Sequence, residues 1–136
     1  KRQDIGCGTG ILGILASNLG AKGIMAVDIE PWCVENTIEN AKRNGCEQFL
    51  EACLGDIDAV DGTYDLIFAN INRNTLLRQI PKYSQQLQHH GLLLLSGFYV
   101  KDLDEITKKC LQNGLSLDSQ TSLDEWVCAK YVYSDL

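Results

Sequence analysis

The stretch DIGCGTG at residues 4–10, followed by the apolar run ILGIL at residues 11–15, decides how the chain is interpreted. Glycines at alternate positions allow positive φ and leave the backbone without Cβ atoms, so a ligand can lie against the main chain. The apolar run begins a helix whose free N–H groups point back at the loop. A strand end, a bare loop and a helix N-terminus together predict a small-molecule site.

Two registers are open for these glycines. Residues 8–13 spell the dinucleotide fingerprint G-x-G-x-x-G, which would accept a nicotinamide cofactor. That register runs the preceding strand through Gly6, although Gly is a poor strand residue. If Gly6 is the first glycine of the motif, the strand ends at Asp4, whose carboxylate would repel a pyrophosphate and attract an ammonium group. The pattern D-x-G-x-G-x-G resembles motif I of the class I S-adenosylmethionine-dependent methyltransferases.

Length and composition fit one globular domain. The chain has 136 residues, of which 45% are hydrophobic and 22% charged. No apolar run reaches the length of a membrane span and no secretory signal is recognisable, so we expect a cytoplasmic protein that contacts no membrane. Six cysteines without C-x-x-C pairs predict buried thiols, with three disulfides in a secreted domain as the alternative. A net charge of −6 disfavours direct nucleic-acid binding and suits a basic partner.

The start of the chain is unusual for a domain of this type. Residues 1–3 are Lys, Arg and Gln, where a central parallel strand is normally apolar, and there is no initiator Met. We therefore expect a fragment of a longer protein whose first strand is truncated or atypical.

Carboxylates follow the next two predicted strands. Residues 23–27 form a short apolar run that ends at Asp28, where a carboxylate can accept hydrogen bonds from both ribose hydroxyls. The alternative for Asp28 is a helix cap, ahead of the helix start that Pro31 predicts. The run at residues 49–54 predicts a third strand leading to Asp56 and Ile57. This pair can serve an adenine ring, although Gly-Asp is also common turn chemistry.

Asn70 ends the predicted fourth strand. Residues 64–69 are apolar on both faces, as a central parallel strand requires. Such a strand brings its last residues to the crevice beside the first strand, so Asn70 is the predicted substrate-facing group. The alternative makes Asn70 and Asn72 caps of the next helix, because Asn is among the best caps.

The remaining pattern predicts amphipathic helices, one more central strand and a final hairpin. His89 and His90 precede the strand at residues 92–97, and we interpret them as a solvated loop, with side chains that point apart and bind no metal. The hairpin pairs residues 115–117 with 126–132 around an acidic turn at residues 124–125. The predicted buried helix faces are Val34, Ile38 and Ala41 in the first helix, Leu76, Leu77, Ile80, Tyr83 and Leu87 in the second, and Leu103, Ile106, Cys110 and Leu111 in the third.

This order predicts an α/β fold, a doubly wound and mostly parallel seven-stranded sheet with one reversed strand in the terminal hairpin. With the motifs added, nearly the whole chain resembles the catalytic domain of the ribosomal protein L11 methyltransferases. The stretches that carry the resemblance are residues 4–12, 27–31, 70–71, 95–97 and 125–127.

The resemblance implies methyl transfer from S-adenosylmethionine to lysine side chains or α-amines of a ribosomal protein, with Asn70 as the catalytic residue. The cofactor-binding residues that it implies are Asp4, Gly6, Gly8, Thr9, Gly10, Asp28, Ile29, Asp56, Ile57 and Asn70. The chain departs from the family in two respects. Asn72 stands where an apolar residue is usual, and the N-terminal substrate-recognition domain is absent, so residues 1–136 would be the catalytic domain alone.

Two other functions stay open at this point. A nicotinamide-dependent oxidoreductase would use the glycine register at residues 8–13. The Asp4 carboxylate disfavours this register because it would repel the pyrophosphate of the cofactor. A non-catalytic binding module would keep the fold without the reaction. The identity of the bound cofactor separates the first of these from a methyltransferase.

Overall fold

A computed structural model describes residues 23–28, 30–45, 47–48, 50–54 and 63–134 of the chain. Within these ranges lie six strands, three α-helices and one short 3₁₀ turn. In chain order they are β1 (Ile24–Asp28), α1 (Pro31–Arg43), β2 (Leu50–Leu54), β3 (Tyr64–Asn70), α2 (Arg73–Gln85), β4 (Leu87–Tyr99), the 3₁₀ turn (Val100–Asp102), α3 (Leu103–Leu111), β5 (Leu115–Leu123) and β6 (Trp126–Tyr133).

The strands form one sheet in the order β2-β1-β3-β4-β6-β5. The pairs from β2 to β4 are parallel, and β6 runs antiparallel to both β4 and β5. The predicted α/β sheet, mostly parallel with one reversed strand in a terminal hairpin, is therefore confirmed. The predicted first strand lies outside the described residues.

One predicted neighbour is wrong. We expected the strand that ends at Asn70 to lie beside the strand that ends at Asp4, but β3 pairs with β1 on one side and with β4 on the other. An interior position in a parallel sheet is buried on both faces and requires apolar residues on both. All five residues of β1 are buried and the first four are apolar, which meets that requirement up to the end of the strand.

Helices cover both faces of the sheet because successive residues of the central strands point to opposite sides. On one face, Met25 and Val27 of β1 belong to a large core cluster with residues of α2 and α3. On the other face, Ile24 and Ala26 pack in a smaller cluster that includes Ala41 of α1. The doubly wound arrangement thus follows from strands that are apolar throughout.

The buried face of α1 differs from the predicted one. Cys33, Thr37 and Ala41 are buried, whereas Ile38 is 41% exposed. Pro31 occupies the first helical position, and Cys33, two residues later, faces the sheet, where its thiol bonds the Asp28 carboxylate. Of the predicted face, Ala41 is therefore confirmed and Ile38 is wrong, and the apolar periodicity did not indicate Cys33 and Thr37.

The other helices follow their predicted faces with two exceptions at their ends. Leu76, Ile80 and Tyr83 of α2 are fully buried, but α2 ends at Gln85 and Leu87 belongs to β4. In α3, Leu111 is 58% exposed, since it is the last residue of the helix.

One segment that we predicted as a loop belongs to a strand, and another strand is longer than predicted. His89 and His90 lie in β4, and their ring centroids are 3.8 Å apart, so the prediction that they point apart is wrong. A φ of 69° at His90 breaks the alternation of side chains along the strand. Strand β5 extends to Leu123, beyond the predicted residue 117, because an edge strand can keep polar residues that carry no apolar pattern.

The described cysteines include three free thiols. Cys33 and Cys110 are buried, as predicted, whereas Cys128 is only half-buried. None of the helices in the described part of the chain is long and apolar enough to cross a membrane.

Candidate functional site

The sheet changes its winding direction between β1 and β3. From β1 the chain passes through α1 to β2 on one side, and from β3 it passes through α2 to β4 on the other. In open α/β sheets this switch point creates a crevice outside the carboxyl ends of the strands, where ligands bind. Asp28 and Asn70 are the last residues of β1 and β3 and are register partners. The structure thus brings two predicted site residues together.

The Asp28 carboxylate is buried and held from several sides. Its Oδ1 accepts the backbone N–H of Glu30 at 2.9 Å, and its Oδ2 accepts Nδ2 of Asn70 at 3.2 Å. The Cys33 thiol also donates to this carboxylate. A carboxylate has about four acceptor positions, so capacity for further donors remains. The residue at the N-cap of α1 is Glu30, so the alternative that Asp28 caps this helix is wrong.

Asn70 is linked to both neighbouring strands. A carboxylate only accepts hydrogen bonds, so the amide nitrogen of Asn70 must face Asp28 and the amide oxygen must face the other way. That oxygen accepts a hydrogen bond from the Ser96 hydroxyl at 3.3 Å. Asp28, Asn70 and Ser96 are therefore joined across the ends of three adjacent parallel strands.

The alternative role of helix cap belongs to Asn72. Its Oδ1 accepts the backbone N–H of Thr75 at 3.0 Å, and Asn72 is the N-cap of α2. Asn70 precedes the cap by two residues, and its side chain bonds across the sheet. Asn72 is therefore the capping residue at the start of α2.

Ser96, Gly97 and Cys33 also contact the pair formed by Asp28 and Asn70, although none of them was a predicted site residue. Gly97 has φ 96°, and a Cβ built on it would lie 2.8 Å from Oδ1 of Asn70. The available signal for Gly97 was a glycine inside an otherwise apolar strand, which often marks a bulge or a close backbone approach. Ser96 is 2% exposed, and only the sheet register reveals its partner.

Burial, together with the Asp28 carboxylate, the hydrogen bond to it and the charge of Glu30, raises the pKa of the Cys33 thiol from 9.0 to about 12. The thiol is therefore protonated at neutral pH and can act as a donor to Asp28. No sequence pattern indicated this role, because the contact depends on which face of α1 is buried.

Aromatic side chains lie at the same edge of the sheet. Tyr99 ends β4 and Trp126 begins β6, and their ring centroids are 4.5 Å apart. Both are partly exposed, and the Lys101 ammonium lies 5.8 Å from the Tyr99 ring centroid. The predicted motif at residues 125–127 thus reaches the carboxyl edge of the parallel strands.

The other predicted site residues lie outside the described residues. They are Asp4, Gly6, Gly8, Thr9, Gly10, Ile29, Asp56 and Ile57. Within the described ranges, no group of three or more His, Cys, Asp or Glu side chains is arranged to hold a metal ion.

Comparison with known proteins identifies the family. The family model described as ribosomal protein L11 methyltransferase (PrmA) matches residues 2–133. The chain belongs to the ribosomal protein L11 methyltransferase family. The family resemblance drawn from the sequence motifs is therefore confirmed.

Individual relatives agree with this assignment. The chain is 42% identical over 130 residues to a ribosomal protein L11 methyltransferase of Porphyromonas gingivalis, covering 94% of this chain and 44% of the relative. A ribosomal protein L11 methyltransferase of Bacteroides fragilis is 39% identical over 131 residues, with 95% and 46% covered. The chain thus spans somewhat less than half the length of these curated relatives.

Solved structures support the same fold. A crystal structure of a ribosomal protein L11 methylase from Lactobacillus delbrueckii subsp. bulgaricus is similar with a TM-score of 0.72 and 31% identity, covering 93% of this chain and 65% of that one. The M. jannaschii tRNA m1G37 methyltransferase, at 21% identity and a TM-score of 0.70, covers 98% of this chain and 44% of its own and shares the fold.

Proposed function

We propose that the chain is the catalytic domain of an S-adenosylmethionine-dependent methyltransferase that modifies amino groups of a ribosomal protein. Its membership of the ribosomal protein L11 methyltransferase family supports the reaction class. The observation that carries the proposal is the meeting of Asp28 and Asn70 at the switch point of the sheet. Asp28 offers acceptors for the hydroxyls of a ribose, and Asn70 offers an amide oxygen beside that carboxylate.

The chemistry of Asp28 fits the ribose of a nucleoside cofactor. Two ribose hydroxyls are donors, and the carboxylate is an acceptor at the end of a β-α-β strand with capacity beyond its present partners. The remaining residues that we propose to hold the cofactor are Asp4, Gly6, Gly8, Thr9, Gly10, Ile29, Asp56 and Ile57. When bound, the cofactor supplies a methyl group on a positively charged sulfur.

The protein's main task in this reaction is to position the acceptor. A lysine amine with a pKa of about 10.4 must lose its proton before it attacks, which costs roughly 4–5 kcal/mol at pH 7. Correct positioning can lower the barrier by about 7–11 kcal/mol, so a strong base is not required. We assign Asn70 this role, because its amide oxygen can accept a hydrogen of the amine and direct the nitrogen lone pair.

The charge of the chain suits the proposed substrate. A net charge of −6 favours a basic partner, and a protein that binds ribosomal RNA needs Lys and Arg to neutralise phosphates. The names of the relatives point to ribosomal protein L11 itself. A ribosomal substrate also implies a cytoplasmic setting, which fractionation of cells that express the protein would test.

Calorimetric titration with S-adenosylhomocysteine and with NAD tests the proposal. We expect S-adenosylhomocysteine to bind and NAD to give no heat of binding. Binding of NAD alone would contradict the methyltransferase and support the oxidoreductase. Binding of S-adenosylhomocysteine without methyl transfer to purified L11, in the protein at its full natural length, would indicate a non-catalytic module.

A further inference from the structure

We propose that Ser96 and Gly97 are positioning residues, which direct the amide oxygen of Asn70 toward the acceptor amine. The inference rests on the proposed role of Asn70 and adds the residues that make this role possible. It follows from three features of the region where Asn70, at the end of β3, lies against Ser96 and Gly97 of β4.

The first feature is the orientation of the Asn70 amide. Its nitrogen faces the Asp28 carboxylate, so its oxygen faces β4 and meets the Ser96 hydroxyl at 3.3 Å. A hydroxyl can donate to this oxygen while leaving its second lone pair free for another donor. Ser96 thus holds the oxygen in place and keeps it able to accept a hydrogen from an amine.

The second feature is the space that Gly97 leaves. A Cβ at this position would lie 2.8 Å from the Asn70 amide oxygen, 2.9 Å from the Ile71 carbonyl oxygen and 3.0 Å from the Ile71 nitrogen. Two of these three atoms are backbone atoms, which cannot turn aside. Any larger residue at position 97 would therefore displace the Asn70 side chain or the chain that follows it.

The third feature is a β-bulge. The pairing of β4 with β6 shifts register between Ser96 and Phe98, and Gly97 has a φ of 96° at that point. Bulges re-aim strands next to active sites. Beside the bulge, the backbone N–H of Ile71 donates to the Ser96 carbonyl at 3.2 Å, which fixes the end of β3 to the same segment.

The chain offers a matched control for a substitution at Gly97. Gly114 also has a positive φ, at 81°, and a Cβ there would lie 2.8 Å from the Ser134 carbonyl oxygen. Trp126 lies at the carboxyl ends of the parallel strands, near Asn70, and it pairs with Leu123 at the end of β5. Gly114 precedes the start of β5, where Leu115 pairs with Tyr133, and so lies at the opposite ends of the strands. Gly97→Ala and Gly114→Ala therefore carry similar strain at different distances from Asn70.

The test measures single-turnover methyl transfer to purified L11, S-adenosylhomocysteine affinity and thermal stability, in the protein at its full natural length. We expect Gly97→Ala to slow transfer by about 10²-fold, since a shift of about 1 Å at an orienting group has that effect. Cofactor affinity should stay within a few fold. Gly114→Ala should lower the melting temperature and keep the transfer rate.

Ser96→Ala is the milder variant, which tests the proposal if Gly97→Ala does not fold. Loss of a neutral hydrogen bond should slow transfer by roughly two- to tenfold, with unchanged cofactor affinity. Both substitutions are then repeated with Asn70→Ala. If they act through Asn70, neither should slow transfer further in that background.

The outcomes separate this inference from the proposed function. If Asn70→Ala transfers methyl groups as fast as the wild type, the proposed role of Asn70 fails. If Asn70→Ala is slow but Ser96→Ala and folded Gly97→Ala are as fast as the wild type, only the positioning inference fails. Equal slowing by both substitutions with and without Asn70 would also overturn the inference, because their effect would then be purely structural.

Discussion

At the scale of single residues, Asp28 carries the proposed contact with the cofactor. Asp28→Ala removes the acceptor of two charge-assisted hydrogen bonds, each worth roughly 1.5–3 kcal/mol, so S-adenosylhomocysteine affinity should fall at least tenfold. Asp65→Ala is the control, because Asp65 accepts the Gly23 N–H at the opposite edge of the sheet. Calorimetry on both folded variants checks this prediction, and unchanged affinity of Asp28→Ala would refute the role.

The sequence predicted Asp28 and Asn70 because a polar residue directly after a buried parallel strand lies at the edge of the sheet where ligands bind. It could not predict their partners. Ser96 reaches Asn70 through strand pairing, and Gly97 matters through a bulge whose position no local pattern reveals. The contact of Cys33 with Asp28 depends on the rotation of α1 about its axis. These contacts join residues that are distant in the chain, or they depend on how a helix packs against the sheet, so no local sequence pattern indicates them.

At the scale of elements, the side chain of Asn72 caps the N-terminus of α2. Asn72→Ala should lower the free energy of unfolding by about 1 kcal/mol, because the Thr75 N–H loses its acceptor. Asn74→Ala makes the same substitution on an exposed helical position. It removes only an exposed hydrogen bond from Arg73 Nη2 at 3.1 Å, and because Ala is the better helix former its net cost should be close to zero. Urea unfolding of both variants tests this. Equal stability of the two would show that the cap contributes nothing.

The central elements were predictable because residues 24–27 of β1, 66–69 of β3 and 92–95 of β4 are continuous apolar runs, a pattern that buried parallel strands require. Edges and ends were harder to predict. Strand β5 has an edge position and polar residues, so its length depends on pairing with β6. The pairing of β3 with β1 was also predicted wrongly, since strand order is a property of the whole sheet.

At the scale of the whole molecule, core burial makes stability fall at alkaline pH. Burial raises the pKa of Cys110 from 9.0 to about 12. Below pH 9 the thiol is neutral in both states, so its contribution to stability is fully present. Between pH 9 and 12 only the unfolded chain loses the proton, and stability should fall by up to about 1.4 kcal/mol per pH unit for this thiol.

Cys110→Ala removes the contribution of this thiol, while the Cys33 thiol, whose pKa is also raised to about 12, remains. Tyr131 also remains. Its pKa is raised from 10.0 to about 12, mainly by burial and to a smaller extent by Cys110, so its own loss begins only above pH 10. Urea unfolding at pH 8, 9 and 10 should therefore give a shallower decline for Cys110→Ala than for the wild type. Parallel declines would contradict the assignment of a buried neutral thiol.

Single-turnover methyl transfer from S-adenosylmethionine to L11, by the wild type and by Asn70→Ala at full natural length, tests the central claim most directly. We expect the variant to transfer about 10²-fold more slowly, since an orienting hydrogen bond worth roughly 2.7–4 kcal/mol in the transition state is lost. Its S-adenosylhomocysteine affinity should stay within a few fold. Transfer by Asn70→Ala at the wild-type rate would contradict the claim that Asn70 directs the acceptor amine.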